Sequence, residues 1–115
     1  MKIKRGDICI IELQTSKGSV QRGVRPCLII QNNVGNSCSS TTIVLPLTRS
    51  NSKHNLPTHL KIEKSSTNGL KVDSWVLGEQ PVTVSIEHQV ERKIGTLENS
   101  YMEIIDKILA ISIGL

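Results

Sequence analysis

The stretch "RGVRPCLII", residues 22–30, sets two arginines and two sharp backbone constraints directly before a run of apolar residues. Gly23 permits a backbone conformation that other residues avoid, and Pro26 fixes its own φ while it drives Arg25 toward extended geometry. The run "PCLIIQ", 26–31, is predicted to be a buried strand. Arg25 then projects from a stiffened turn at a strand end, where folds often hold site residues, although a plain surface arginine is the simpler alternative.

Apolar alternation and β-branched residues predict further short strands on both sides of this one. They are 2–13, with a Gly-Asp bend inside it, 41–48, 58–63, 74–80 and 82–87. Polar, turn-rich linkers separate them at 14–23, 32–40, 49–57 and 64–69. Six short strands joined by loops indicate a mainly β, antiparallel fold that is closed or strongly curled into a small barrel, so that few edges stay open.

The tail, residues 99–115, changes its period. Apolar residues recur there at helical spacing, at Tyr101, Ile104, Ile105 and Ile108. Ser100 and Glu103 form a predicted capping box at the start of this C-terminal α-helix, and Gly114 lies near its end. The apolar stripe has to be buried, either over an open end of the barrel or against a second subunit, and we favour a homodimer.

The composition is that of an ordinary globular chain, with 115 residues of which 37% are hydrophobic and 21% charged. This length predicts one domain, residues 1–115, around one core. No run approaches the ~20 apolar residues of a membrane span. The basic start "MKIKRGDICI" also lacks an apolar stretch of signal-peptide length. We therefore expect a cytoplasmic protein without membrane attachment.

Three cysteines, Cys9, Cys27 and Cys38, make an odd number, and two of them lie inside apolar strand-like runs. We expect unpaired structural thiols and not a disulfide or a metal site. The three histidines stand at no zinc-ligand spacing with any cysteine. The sequence therefore predicts neither a metal nor another cofactor.

Charge is distributed unevenly along the chain, whose formal net charge is +4. Residues 1–71 hold eleven Lys or Arg against three acids, whereas residues 72–115 hold three against seven. A basic face built from the first part would attract phosphate backbones or an acidic partner, because neutralising anionic charge releases counterions. A merely solvated basic surface explains the charge equally well.

A series of segments runs through the chain in a fixed order. They are "RGDI" at 5–8, "GVRPCLIIQNNVGN" at 23–36, "LPLT" at 45–48, "LPTHL" at 56–60, "DSWVLGEQ" at 73–80 and the closing "ISIGL". Together they resemble the MazF/PemK family of toxins from bacterial toxin–antitoxin pairs, which are metal-independent endoribonucleases that cleave single-stranded RNA. The resemblance extends over almost the whole chain.

This resemblance implies an SH3-like small β-barrel with added helices, a homodimer, single-stranded RNA bound along a basic groove, and a cognate acidic antitoxin that occupies the groove. It implies that Arg25 is the catalytic arginine and Thr48 the catalytic threonine. It also matches the family's loop serine to Ser19, its loop glutamine to Gln21 and the glutamine that closes the segment 73–80 to Gln80. The remaining substrate-binding candidates are Arg22, Asn32, Leu56, His59 and Glu79.

The chemistry of metal-free RNA cleavage agrees with these residue types. The ribose 2′-OH attacks its own phosphate, so the protein has to orient that oxygen, neutralise charge on the phosphorane and protonate the leaving 5′-oxygen. The products are a 2′,3′-cyclic phosphate and a 5′-hydroxyl. The guanidinium fork of Arg25 matches phosphate geometry, and the Thr48 hydroxyl adds one donor. Because a guanidinium is a poor general base near neutral pH, we assign Arg25 mainly to charge stabilisation and leaving-group protonation. The group that removes the 2′-OH proton stays open: His59 and Glu79 are candidates, although an ordinary strand residue and an ordinary solvated one, respectively, are the simpler alternatives.

Some positions depart from the family pattern. Val20 stands where the loop commonly has an acid, and Pro81 and Val82 stand where some relatives have a basic contact; we expect these changes to affect the target sequence more than the reaction. Because the chain has no Phe, one Trp and one Tyr, base stacking is not the main source of RNA affinity, and we expect that affinity to depend markedly on salt.

Two other functions stay open: a noncatalytic SH3-like module that binds RNA or a peptide, and a gyrase-inhibiting toxin. The pairing of Arg25 with Thr48 favours the ribonuclease.

Overall fold

The computed structural model describes residues 1–14, 17–49 and 56–115. Within these ranges the elements in chain order are β1 (Asp7–Leu13), β2 (Gly23–Ile29), α1 (Asn33–Cys38), β3 (Thr41–Thr48), β4 (His59–Ile62), β5 (Ser74–Leu77), β6 (Val82–Ser85), α2 (Ile86–Gln89), β7 (Val90–Thr96) and α3 (Asn99–Ser112). The predicted linkers 14–23 and 49–57 lie partly outside the described residues. None of the helices in these ranges has the length and apolar character needed to cross a bilayer.

The described strands form one antiparallel sheet of seven strands, in the order β4-β5-β3-β2-β1-β7 with β6 beside β3. Along one edge β3 changes partner, because residues 41–44 pair with β6 and residues 47 and 48 pair with β5. Pro46, which has no backbone N–H to donate, lies between these two pairings. The prediction of a mainly β, barrel-like fold with a C-terminal helix is confirmed, although the ladder runs from β4 to β7 and is not closed.

The central strands are buried on both faces, which gives the fold two apolar clusters. One joins the sheet to α3 and includes Ile8, Leu28, Leu45, Met102 and Ile105. The other includes Cys9, Ile11, Cys27, Ile29 and Val84. Since neighbouring residues of a strand point to opposite faces, β1 and β2 supply side chains to both clusters in alternation.

The cysteines differ in their surroundings. Cys9 and Cys27 are buried and unpaired, and they pack as small hydrophobes as predicted. Burial raises the pKa of Cys9 to about 11 and that of Cys27 to about 12, so both stay protonated thiols near neutral pH. Cys38, which lies outside the apolar runs, is also unpaired but is exposed at the end of α1.

The six predicted strands omit β7, and the predicted linker 32–40 contains α1. β7 lacks apolar alternation because three charged residues follow one another at 91–93, and its strand form comes from pairing with β1. α1 contains two Asn and one Gly, which are poor helix formers. It is held instead by Asn32, whose Oδ1 accepts a bond from the Gly35 backbone N–H at 2.8 Å. The Asn36 side chain adds a second anchor by accepting a bond from Thr42 Oγ1 at 2.7 Å.

The stripe of α3 packs within its own chain, since Met102, Ile105 and Ile108 are buried, whereas Ile104 is 43% exposed. The predicted capping box at Ser100 and Glu103 is wrong. The helix begins at Asn99, with Glu98 as its N-cap residue. The Glu98 carboxylate accepts bonds from Ser65 Oγ at 2.8 Å and Asn68 Nδ2 at 3.1 Å, and this attachment to the 65–68 loop fixes where α3 begins.

Candidate active site

Arg25 is a half-buried residue of β2, in register with Ile11 of β1. Its Nε donates a bond to the Arg22 carbonyl at 3.0 Å and its Nη1 donates to the Leu47 carbonyl at 3.3 Å. Gly23, with φ of +83°, supplies the turn that lets the chain approach this position. The two bonds use part of the five-donor fork and hold its plane, so the arginine is fixed before any ligand arrives.

The bond to the Leu47 carbonyl also ties Arg25 to the end of β3, where Thr48 is the next residue. Thr48 is half-buried and pairs with Trp75 of β5. Arg25 and Thr48 line the same groove, which has a volume of about 580 Å³. The two residues that sequence reasoning assigned to one site therefore line one groove, although they come from different strands.

This cationic groove is defined by Arg25, Thr48, Arg49, Lys71 and Arg92. Apolar residues also line it, among them Ile10, Val24, Pro26 and Ile94. Four cations and no Asp or Glu are among the described residues that line it. Such a lining attracts an extended polyanion, because cations grouped in one groove are stabilised when phosphates or carboxylates bind there.

Sequence reasoning did not single out Arg49, Lys71 or Arg92. Arg49 directly follows Thr48, and the excess of basic residues in 1–71 was a signal for Arg49 and Lys71 without saying where they lie. Arg92 belongs to the acid-rich part of the chain, and nothing in the sequence indicated that it lines the groove. The structure brings it to the groove through β7, where Arg92 pairs with Ile10 of β1.

Ser19, Gln21 and Gln80 come together in a second place. Gln80 Nε2 donates a bond to the Ser19 carbonyl at 3.1 Å, and Gln80 Oε1 accepts one from the Gln21 backbone N–H at 3.0 Å. Gln21 and Gln80 also line a small hollow of about 110 Å³, together with Val20 and Val82. In this arrangement Gln80 holds the backbone of the loop, which positions the side chains of Ser19 and Gln21.

His59 and Glu79 form a pair outside the lining of the cationic groove. His59 Nε2 lies 2.8 Å from Glu79 Oε2, and the histidine side chain is 6% exposed. Thr58 Oγ1 donates a second bond to Glu79 Oε1 at 3.1 Å. Burial alone would raise the pKa of the Glu79 carboxyl, but the bonds from His59, the backbone and Thr58 outweigh it, so this pKa lies below its ordinary value.

The lowered pKa of Glu79 predicts a pH-dependent contribution to stability. The folded chain binds this proton less readily than the unfolded chain, whose carboxyl has the ordinary value of 4.5. The contribution is therefore complete above about pH 4.5 and is lost as the pH falls through the folded-state pKa. Glu79→Gln is expected to lower the free energy of unfolding by about 1 kcal/mol at pH 7 and by less at pH 3, measured by urea unfolding.

The matched control for this variant is Glu87→Gln, because the Glu87 side chain is 86% exposed and is 3.9 Å from His88. It is expected to leave the free energy of unfolding nearly unchanged at both pH values. A loss for Glu79→Gln that is equally large at pH 3 and pH 7 would contradict the prediction.

The other predicted contacts lie outside the cationic groove. Asn32 is occupied as the N-cap of α1. Leu56 is 44% exposed, and its carbonyl accepts a bond from the His59 backbone N–H at 3.0 Å. Arg22 is exposed, and its carbonyl accepts the bond from Arg25 Nε. Among residues 1–14, 17–49 and 56–115, no group of three His, Cys, Asp or Glu is placed to hold a metal ion.

Comparisons with known proteins agree on one family. The model of the PemK-like, MazF-like toxin of type II toxin–antitoxin systems matches residues 4–113. Endoribonuclease EndoA of Bacillus subtilis (strain 168) is 40% identical over 115 residues, which cover 100% of this chain and 97% of that protein.

Solved structures share the fold at lower identity. MazF from Deinococcus radiodurans has a TM-score of 0.83 at 14% identity, covering 100% of this chain and 99% of the other. An endoribonuclease from a Mycobacterial species, in complex with its cognate antitoxin, has a TM-score of 0.80 at 22% identity, covering 98% and 96%. With the family match over 4–113 and the 40% identity, these likenesses lead to one conclusion: the chain belongs to the family of PemK-like, MazF-like toxins of type II toxin–antitoxin systems.

Proposed function

We propose that this chain is a metal-independent endoribonuclease that cleaves single-stranded RNA, with Arg25 and Thr48 as its catalytic residues. The observation that carries the proposal is that both line one groove with three further cations and no carboxylate among its described lining. The 40% identity to Endoribonuclease EndoA supports the same activity. The products are an RNA fragment with a 2′,3′-cyclic phosphate and a fragment with a 5′-hydroxyl.

The proposed reaction forms a bond from the ribose 2′-oxygen to phosphorus and breaks the bond from phosphorus to the 5′-oxygen. The 2′-OH proton leaves to a base, and the 5′-oxygen acquires a proton as it departs. Arg25 stabilises the extra negative charge of the phosphorane and directs its remaining N–H groups at the nonbridging and leaving oxygens. The Thr48 hydroxyl donates to a nonbridging oxygen. His59 and Glu79, the two bases considered from the sequence, lie outside the lining of the groove, so we assign the 2′-OH proton to neither of them.

The loop around Ser19 and Gln21 is proposed to contact the RNA bases, with Gln80 holding the loop in place through its two bonds. Arg22, Asn32 and Leu56 remain candidates for further substrate contacts. Because aromatic residues are scarce, hydrogen bonds and charge supply most of the affinity.

We infer further that residues 1–115 act as one domain, in the cytoplasm, as a homodimer that a cognate acidic antitoxin silences. The structure of the Mycobacterial endoribonuclease with its antitoxin supports a protein inhibitor, and the cationic groove supports an acidic one. Unpaired cysteines support a reducing compartment. Exposed apolar side chains near the C-terminus, at Ile104, Ile111, Ile113 and Leu115, support burial against a second copy.

The test is incubation of the purified chain with a long single-stranded RNA in buffer with EDTA. Cleavage is expected to proceed, and mapping the fragment ends is expected to give 5′-hydroxyls and a recurring base sequence. Uncut RNA after incubation with folded protein would overturn the proposal in favour of a noncatalytic module. Inhibition of gyrase supercoiling by that same protein would favour the topoisomerase poison instead.

A further inference from the structure

Two of the cations that line the cationic groove, Lys71 and Arg92, lie on other segments than the catalytic candidates Arg25 and Thr48. Pro26, Ile10 and Arg92 are register partners across β2, β1 and β7, and all three line the groove. Since neighbouring strands lie ~4.8 Å apart, the backbone at Arg92 is roughly 10 Å from that at Pro26, which directly follows Arg25. Lys71, after β4, lines the groove as well.

Acids do little to neutralise these two cations. Arg92 Nη1 lies 3.8 Å from Glu91 Oε1, and the two side chains are 63% and 45% exposed, so this adjacent pair is loose and weak. No ion pair involving Lys71 occurs among the described residues, and its side chain is exposed. Asp73 is the nearest acid in sequence, and its Oδ1 accepts a bond from the Lys64 backbone N–H at 2.9 Å.

Lys71 stands on a rigid support. Leu70, the preceding residue, is 6% exposed and belongs to the core beneath the groove. Asn68 is fully buried, and its Oδ1 accepts bonds from the backbone N–H groups of Ser65 and Leu70, both at 3.1 Å. The Thr96 backbone N–H donates to the Thr67 carbonyl at 2.9 Å, which fastens this segment to β7. Lys71 and Arg92 are therefore held by connected parts of the fold.

We propose that Lys71 and Arg92 form a second phosphate subsite, which binds RNA phosphates next to the scissile one. The proposal rests on the function proposed above, because a strand with its scissile phosphate at Arg25 and Thr48 has to carry its neighbouring phosphates along the same groove. The roughly 10 Å between the backbones at Pro26 and Arg92 corresponds to about three nucleotides at the ~3.4 Å rise of a stacked strand, and to fewer in an extended one. The subsite contacts phosphate alone, so it adds affinity without reading bases.

The test compares Lys71→Ala, Arg92→Ala and the double variant with wild type, using a long unstructured RNA in EDTA at several salt concentrations. Each single change is expected to lower kcat/KM by about three- to tenfold at low salt with kcat within twofold. The slope of log kcat/KM against log salt is expected to flatten by about 0.7 for each cation removed. The control is Lys107→Ala, which removes one exposed positive charge from α3, outside the groove.

The outcomes separate the subsite from the reaction. Absence of cleavage by wild type would remove the proposed function itself. Cleavage by wild type with both groove variants matching Lys107→Ala in kcat/KM and salt slope would overturn the subsite and leave the function standing. Unchanged cleavage combined with weaker inhibition by the cognate antitoxin would also overturn it, and would assign these cations to the protein partner.

Discussion

Arg25→Ala is expected to lower the rate of RNA cleavage by about 10³-fold or more. Removing one preorganised donor from a developing oxyanion costs about 10²- to 10³-fold in kcat, and the guanidinium is proposed to supply several donors together with a full charge. Arg25→Lys keeps the charge but loses the planar fork, so it is expected to retain only ~1% of the activity. Thr48→Val, which removes the hydroxyl and keeps the shape, is expected to lower kcat by about 10²-fold.

These rates are best measured in single turnover, where binding and product release do not hide the chemical step. Arg25→Ala also removes the bonds to the Arg22 and Leu47 carbonyls, worth about 1 kcal/mol each, so thermal unfolding has to accompany the kinetics. A melting temperature lower by no more than several degrees keeps the kinetic result interpretable. Retention of more than a tenth of wild-type activity by folded Arg25→Ala would remove this residue from the catalytic assignment.

Gly69→Ala is expected to destabilise the fold strongly. Gly69 has φ of +71°, and a Cβ built there would clash with the backbone carbonyl group of Ile94. Backbone on both sides has to move apart, and we expect a loss of about 3–5 kcal/mol in the free energy of unfolding. For a chain of this length that lowers the melting temperature by about 10–20 °C. The displaced segment carries Leu70 and Lys71, so any folded fraction is expected to cleave RNA more slowly.

Gly18→Ala is the matched control for this change. Gly18 has φ of +66°, similar to that of Gly69, yet a Cβ there meets nothing within 4 Å. It is expected to cost only the backbone preference, about 1 kcal/mol. The difference between the two variants in the free energy of unfolding measures the close packing of the 65–69 loop on β7. Equal losses of this free energy would show that the positive φ, and not the packing, causes both.

The sequence predicted those parts of the fold that follow from local pattern. Buried strands with apolar runs, such as β2 and β3, and the apolar stripe of α3 could be identified from periodicity alone. β7 could not, because its three consecutive charges are compatible with a strand only where β1 supplies the hydrogen-bonding edge. The start of α3 was misplaced for a similar reason. A capping box is a local signal, whereas Glu98 is held by Ser65 and Asn68, some 30 residues away.

In the candidate site, too, some residues could be predicted from the sequence and others depend on tertiary contacts. The convergence of Arg25 and Thr48 was predicted through the family resemblance, and the structure places both on one groove. The resemblance did not reveal Lys71 and Arg92, since neither belongs to a quoted motif and only tertiary pairing brings them to the groove. The role of Gln80 in holding the loop could not be predicted from the sequence either, because both of its hydrogen bonds go to backbone atoms about 60 residues away.

The composition of the groove determines how much of the chain has to be synthesised before the groove can form. Its walls come from segments that stretch from Ile10 to Ile94. A nascent chain that has not yet emerged beyond β7 lacks one of those walls. The complete groove, and with it the proposed activity, can therefore form only after β7 has been synthesised.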